Sequence, residues 1–137
     1  MTRILILCTG NSARSQMAEG LLRDLAGGRV EVFSAGTKPT GVRPEAIEAM
    51  SELGIDISSH RSKHVDEFAG QPFDTVITVC DNAREACPVF PASVEMLHWS
   101  VEDPAAVEGS YEVRLAAFRR IRDQIRDRLL TLDTIRA

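Results

Sequence analysis

The chain has 137 residues, 44% of them hydrophobic and 26% charged, with a formal net charge of -4. That is one domain's worth of an ordinary globular chain, and its acidic balance gives no reason to expect a nucleic-acid partner. The longest apolar stretch, Ile4 to Cys8, is far too short to span a bilayer, and the N-terminus runs straight into a strand pattern without a leader-like segment, so no membrane partner and a cytoplasmic setting are expected.

Arg3 to Leu7 is an unbroken aliphatic run, read as a strand buried on both faces in the manner of parallel sheets. A polar turn follows. Ser15 to Leu25 then places Met17, Leu21, Leu22 and Leu25 at helical spacing until Gly27-Gly28 stops the pattern. Val30 to Ser34 is a second strand, ended by Ala35-Gly36. After a loop with Pro39 and Gly41, Pro44 opens a helix that runs to Leu53 and ends at Gly54. Ser58 to Phe68 is expected to hold another short helix, suggested by Val65 and Phe68. Phe73 to Val79 and Val94 to His98 read as the third and fourth strands.

Tyr111 to Leu132 reads as a long amphipathic helix. Its apolar face carries Tyr111, Leu115, Phe118, Ile121, Ile125, Leu129 and Leu132. The opposite face is rich in Arg and Asp and is expected to be solvated and laced with i,i+4 pairs. Strands alternating with helices imply a parallel α/β sheet with right-handed crossovers. No repeat, low-complexity tract or linker divides residues 1–137, so one domain is expected, and without an obvious extra apolar patch it is expected to be a monomer.

In such sheets ligands bind at the carboxyl ends of the strands. Cys8 follows the first strand, Cys80 the third, and Asp103 lies a few residues beyond the fourth. The third cysteine is Cys87. An odd number of cysteines argues against a disulfide framework. A buried small hydrophobe is the commonest fate of a lone Cys, but placement at strand ends favours chemistry. Six residues separate Cys80 from Cys87, the wrong spacing for a zinc knuckle, and His60, His64 and His98 show no ligand spacing with them. No metal is expected.

The string Cys8-Thr9-Gly10-Asn11-Ser12-Ala13-Arg14-Ser15 suits a tetrahedral oxyanion. Backbone N–H groups of a loop entering a helix N-terminus converge on one point. Gly10 would permit the turn. Arg14 can hold two oxygens with its planar fork, and the same positive potential favours the thiolate of Cys8. Ser12 and Ser15 offer hydroxyl donors. A plain strand-to-helix turn with an incidental Cys is the competing reading. The Cys-five-Arg spacing alone is weak evidence, but the whole string behind a buried N-terminal strand outweighs it.

Leu7-Cys-Thr-Gly-Asn-Ser-Ala-Arg-Ser-Gln-Met-Ala-Glu19 resembles the low-molecular-weight protein tyrosine phosphatase superfamily, and looks closest to its thioredoxin-coupled arsenate reductase branch. Ser34-Ala35-Gly36, Gly54-Ile55-Asp56, His60, Cys80, Cys87-Pro88 and Asp103-Pro104 extend the likeness over most of the chain. The resemblance implies a four-stranded parallel sheet flanked by helices. It implies arsenate as substrate, with phosphate or sulfate as mimics, and Asp103 as proton donor. It also implies a relay in which Cys8 attacks arsenic, Cys80 attacks Cys8, and Cys87 attacks Cys80. Thioredoxin would reduce the resulting Cys80–Cys87 disulfide, and no cofactor is needed. The stretch between those two cysteines holds no Pro; it could begin as a short helix and would have to rearrange, since a disulfide needs Cα atoms within about 7 Å.

Two departures stand out. Most close relatives carry a second Cys inside the loop, where this chain has Ala13. Some relatives bind potassium through an Asn, a Glu, a Ser, a Thr and an Asp. Asn11, Glu19 and Ser34 match that set, but Arg61 and Lys63 stand at the last two positions, so an ammonium near Glu19 is expected to replace the ion. The alternative activity is a phosphotyrosine phosphatase. Ala105 and Ala106 follow Asp103-Pro104, where those enzymes usually place aromatic residues, which leaves side activity on aryl phosphates. A non-catalytic oxyanion sensor would need all three thiols to be idle.

Overall fold

The computed structural model describes residues 1–80, 90, 91 and 93–136. Four strands form one parallel sheet in the order β2-β1-β3-β4. They are β1 (Thr2–Cys8), β2 (Val30–Gly36), β3 (Thr75–Thr78) and β4 (Glu95–His98). Among the described residues the helices are α1 (Arg14–Ala26), α2 (Pro44–Ser51), α3 (Tyr111–Leu129) and the short α4 (Asp133–Arg136), with 3-10 turns at Val65–Phe68 and Pro104–Ala106.

The central place of β1 explains its composition. It is bonded on both edges and covered on both faces, and Leu5, Ile6 and Leu7 have no exposed surface. Its neighbour β3 is also fully buried, whereas edge strand β4 exposes Glu95 and about half of Met96. Helix α1 packs on β1 and β2, and α3 packs against α1 and α2. Phe33, Phe68, Phe73 and Phe90 form a chain of tilted and edge-on ring contacts, with the Arg3 guanidinium 4.6 Å from the Phe33 centroid.

The expected elements occur, with shifted ends. Helix α1 stops at Gly27, whose φ of 55° is the left-handed cap that glycine adopts without strain. Helix α2 ends two residues before Leu53, in turns that lead to Gly54 at φ 76°. In place of a helix within Ser58 to Phe68 there is only the 3-10 turn Val65–Phe68, capped by His64 Nδ1, which accepts the Asp66 N–H at 3.0 Å. The stretch between Cys80 and Cys87 lies outside the described residues, as does Cys87 itself.

Helix α3 corrects two expectations. Tyr111 is 37% exposed and off the apolar face, its hydroxyl donating to the Glu48 carboxylate, which pushes the phenol pKa up to about 12. The Arg-rich face is not wholly solvated. Arg122 is buried between α2 and α3, where it donates to Ala49 O at 2.8 Å and to Glu52 Oε1 at 3.0 Å. Arg119 grips the same Glu52 with Nε and NH2, and these bonds hold the Glu52 carboxyl below its ordinary pKa of 4.5. The charges staple two helices to each other, because Glu52, the residue that caps the C-terminus of α2, offers a carboxylate where α3 offers guanidiniums.

Candidate active site

Residues 9–13 leave the end of β1 and turn into α1, whose first turn carries no acidic side chain. The N-terminal end of α1 therefore presents uncompensated N–H groups and positive potential. A cavity of about 250 Å³ opens over this turn. Cys8, Thr9, Gly10, Ser12, Ala13, Arg14, Thr40, Arg43, Asp103 and Ala105 line it. Residues from the ends of β1, β2 and β4 thus converge on one edge, as parallel topology requires.

The Cys8 sulfur is buried, and two donors approach it. The Asn11 N–H points at it from 3.2 Å, and Ser15 Oγ lies 2.9 Å away. Ser15 Oγ itself accepts from Asn11 Nδ2 at 2.8 Å, which leaves its own hydrogen to be given to sulfur. Two donors thus converge on one sulfur. Of the two hydroxyls expected to help, Ser15 reaches the sulfur and Ser12 lines the cavity.

The strained residue of the loop is Asn11, with φ 47°, rather than Gly10. Asn tolerates the left-handed region when its side chain is bonded locally, and this one is fully committed. Its Nδ2 donates to Ser15 Oγ and, at 3.0 Å, to Ser34 Oγ, while its Oδ1 accepts from Gln16 Nε2 and from the Lys63 N–H. Gly10 is needed for a different reason: a Cβ there would come within 2.9 Å of Thr40 Oγ1 and 3.0 Å of Ser12 Oγ.

Behind the loop sits a buried polar network in which most donor roles are determined. Ser34 Oγ donates to Glu19 Oε1 at 2.6 Å, and Arg23 NH2 donates to Glu19 Oε2 at 2.9 Å. Arg23 NH1 can only donate, so His60 Nε2, 3.3 Å away, accepts; His60 Nδ1–H then donates to Gln16 Oε1 at 3.0 Å. Burial pushes His60 below the ordinary imidazole value, against the opposing pull of Glu19. The Lys63 ammonium stands 3.9 Å from Glu19 Oε1, and burial lowers its pKa too. The Glu19 carboxylate thus faces one ammonium and one guanidinium.

Asp103 lines the cavity and is 44% exposed; one oxygen caps the turn at Pro104–Ala106 by accepting the Ala105 N–H at 3.0 Å, and the other lies 3.8 Å from Arg14 NH2. Arg14 also donates from NH1 to Val101 O at 2.9 Å. Cys80, after β3, is buried with its sulfur 3.1 Å from Thr9 Oγ1. The structure thus brings Cys8, Thr9, Arg14, Cys80 and Asp103 together. It adds Thr40 and Arg43, which sequence reasoning missed because no local pattern says that residues 37–43 run beside the loop.

Residues 3–134 match the family described as low molecular weight phosphotyrosine protein phosphatase. An arsenate reductase of Halalkalibacterium halodurans is 47% identical over 128 residues, spanning 93% of this chain and 92% of that protein. An arsenate reductase solved in its oxidized state superposes with a TM-score of 0.83 at 33% identity, over 96% of both chains. The thioredoxin-dependent arsenate reductase of Corynebacterium glutamicum superposes with a TM-score of 0.67 at 31% identity, over 96% of this chain and 64% of that one.

Proposed function

The chain belongs to the low molecular weight phosphotyrosine protein phosphatase family, and from that premise we propose that it is an arsenate reductase working through a three-thiol relay. The observation that carries this reading beyond the family's loop is the contact between Thr9 Oγ1 and Cys80 Sγ, which sets a second thiol against the loop that holds the first. A phosphatase has no use for that thiol. Two relatives, 47% and 44% identical to this chain, are arsenate reductases.

Arsenate enters the cavity against the loop amides and Arg14. The Cys8 thiolate attacks arsenic, a sulfur–arsenic bond forms, and an arsenic–oxygen bond breaks with loss of water, Asp103 giving the proton. Cys80 thiolate then attacks the Cys8 sulfur. The new sulfur–sulfur bond takes the place of the sulfur–arsenic bond, whose electron pair stays with arsenic, and arsenite leaves two electrons richer. Cys87 attacks Cys80, which returns Cys8 as thiolate and leaves a Cys80–Cys87 disulfide for a dithiol donor. Thioredoxin is the donor this reading favours, supported by the thioredoxin-dependent structural relative.

Ser substitutions test the relay. Cys8→Ser should abolish all chemistry. Cys80→Ser and Cys87→Ser should abolish arsenate turnover while sparing slow hydrolysis of aryl phosphates, which needs only the loop and an acid. Full arsenate turnover in Cys87→Ser would sink the three-thiol scheme. Comparing thioredoxin with glutaredoxin and glutathione in the same assay identifies the donor.

A further inference from the structure

A second arginine, Arg43, lines the active cavity and is not employed by the relay. We propose that Arg43 is a second anion-holding residue of this site, contacting the outer oxygens of the bound oxyanion and setting affinity rather than the rate of sulfur chemistry. This rests on the arsenate reductase reading above.

Arg43 belongs to a segment held in register with the loop. The N–H groups of Thr37, Lys38, Thr40 and Arg43 donate to the carbonyls of Cys8, Thr9, Gly10 and Ser12 at 3.3, 2.9, 3.0 and 2.9 Å. These bonds continue the pairing of β2 with β1 past the strand ends, so the Arg43 backbone cannot drift from the site. Thr40 and Arg43 both reach the cavity.

The guanidinium is poorly used by the protein. Its Nε is buried with no hydrogen-bond partner among the described residues. Its ion pair with Glu45 is long, 3.7 Å, and Glu45 has a second cation in Arg114 at 3.4 Å. Arg14, by contrast, gives NH1 to Val101 O and keeps NH2 near Asp103. A tetrahedral dianion has more lone pairs than the loop amides and one partly committed guanidinium can satisfy, and a planar fork matches its outer oxygens. The Arg43 side chain is 41% exposed, so the contact is partly solvated and modest in strength.

The competing role is purely structural: Arg43 neutralises buried Glu45. Arg43→Gln and Arg43→Lys separate the two. Inorganic phosphate should protect Cys8 from alkylation by iodoacetamide, a readout that needs no turnover. In Arg43→Gln the phosphate concentration giving half-protection and the KM for arsenate should both rise about tenfold, with kcat changed less than about twofold, the size expected for one charge-assisted contact. Arg43→Lys, which keeps a cation beside Glu45 without the fork, should show about a threefold rise; it carries the test if the Gln variant fails to fold. A lowered Tm with unchanged phosphate protection and unchanged KM makes Arg43 a partner of Glu45 only and overturns the proposal. Wild-type protein that binds phosphate without reducing arsenate would instead defeat the functional reading, and the alkylation assay would still decide the role of Arg43.

Discussion

Lys63 meets the loop and its supporting network through both its charge and its backbone. Its ammonium lies 3.9 Å from Glu19, and its backbone N–H donates to Asn11 Oδ1 at 2.9 Å, so the same residue supplies charge and fixes the loop's left-handed asparagine. A covalently tethered cation has already lost most of the entropy that a free ion would have to surrender. Exchanging sodium for potassium at constant ionic strength is therefore expected to leave the KM for arsenate unchanged within about twofold. A clear fall in KM with potassium would show that an ion still adds something Lys63 does not.

Cys8 gains its setting from neighbours rather than from its own position. The chain of bonds from Ser34 and Gln16 through Asn11 to Ser15 leaves the serine hydrogen aimed at sulfur. Each link is buried, where hydrogen bonds polarise one another most.

Among the elements, the junction of β2 with the loop is the least tolerant. Gly36 ends β2 opposite Cys8, and its N–H donates to Lys63 O at 2.8 Å. A Cβ at Gly36 would collide with the Thr9 carbonyl oxygen and come within 2.8 Å of the Asn11 nitrogen, both of them backbone atoms of the loop. Backbone cannot swing aside as a side chain can. Gly36→Ala should therefore destabilise the protein by about 1–3 kcal/mol and weaken phosphate protection of Cys8 by more than its loss of stability explains. Chemical denaturation and the alkylation assay together check this; an Ala variant with native stability and native phosphate binding would refute it. Sequence showed Ser34-Ala35-Gly36 as a strand end but not why it must end in glycine, because the colliding atoms lie some 25 residues away along the chain.

Across the whole molecule, buried ionisable groups link folding to pH. Burial, with Arg23 and Lys63 nearby, keeps His60 below its ordinary value of 6.5, while Glu19 and Asp56 oppose the shift. The folded state thus binds the imidazole proton more weakly than the unfolded chain. Between the lowered value and 6.5 the unfolded state holds more protons, so this contribution to stability is complete above 6.5 and is lost as pH falls below it. Unfolding free energies measured by urea at pH 7.5 and 5.5 should fall more in the wild type than in His60→Gln. Equal losses in the two proteins would remove His60 as the cause.

At the same scale, no helix among the described residues is long and apolar enough to cross a membrane. Helices α1, α2 and α3 and the four-stranded sheet are held together by their apolar faces, and Leu115, Phe118, Ile121, Ile125 and Leu129 of α3 are all buried as their spacing implies.

Sequence by itself determined the parallel α/β class, the placement of Cys8, Cys80 and Asp103 at strand ends, and the oxyanion loop. These depend on local periodicity and on a contiguous string of residue types legible in order along the chain. Tertiary structure alone decided that Asn11 rather than Gly10 carries the positive φ, that Arg122 staples α2 to α3, and that Thr40 and Arg43 line the same cavity as Cys8. Each of those results depends on what another segment brings into contact, and a charged or polar side chain has no address in sequence until a partner from elsewhere in the chain is beside it.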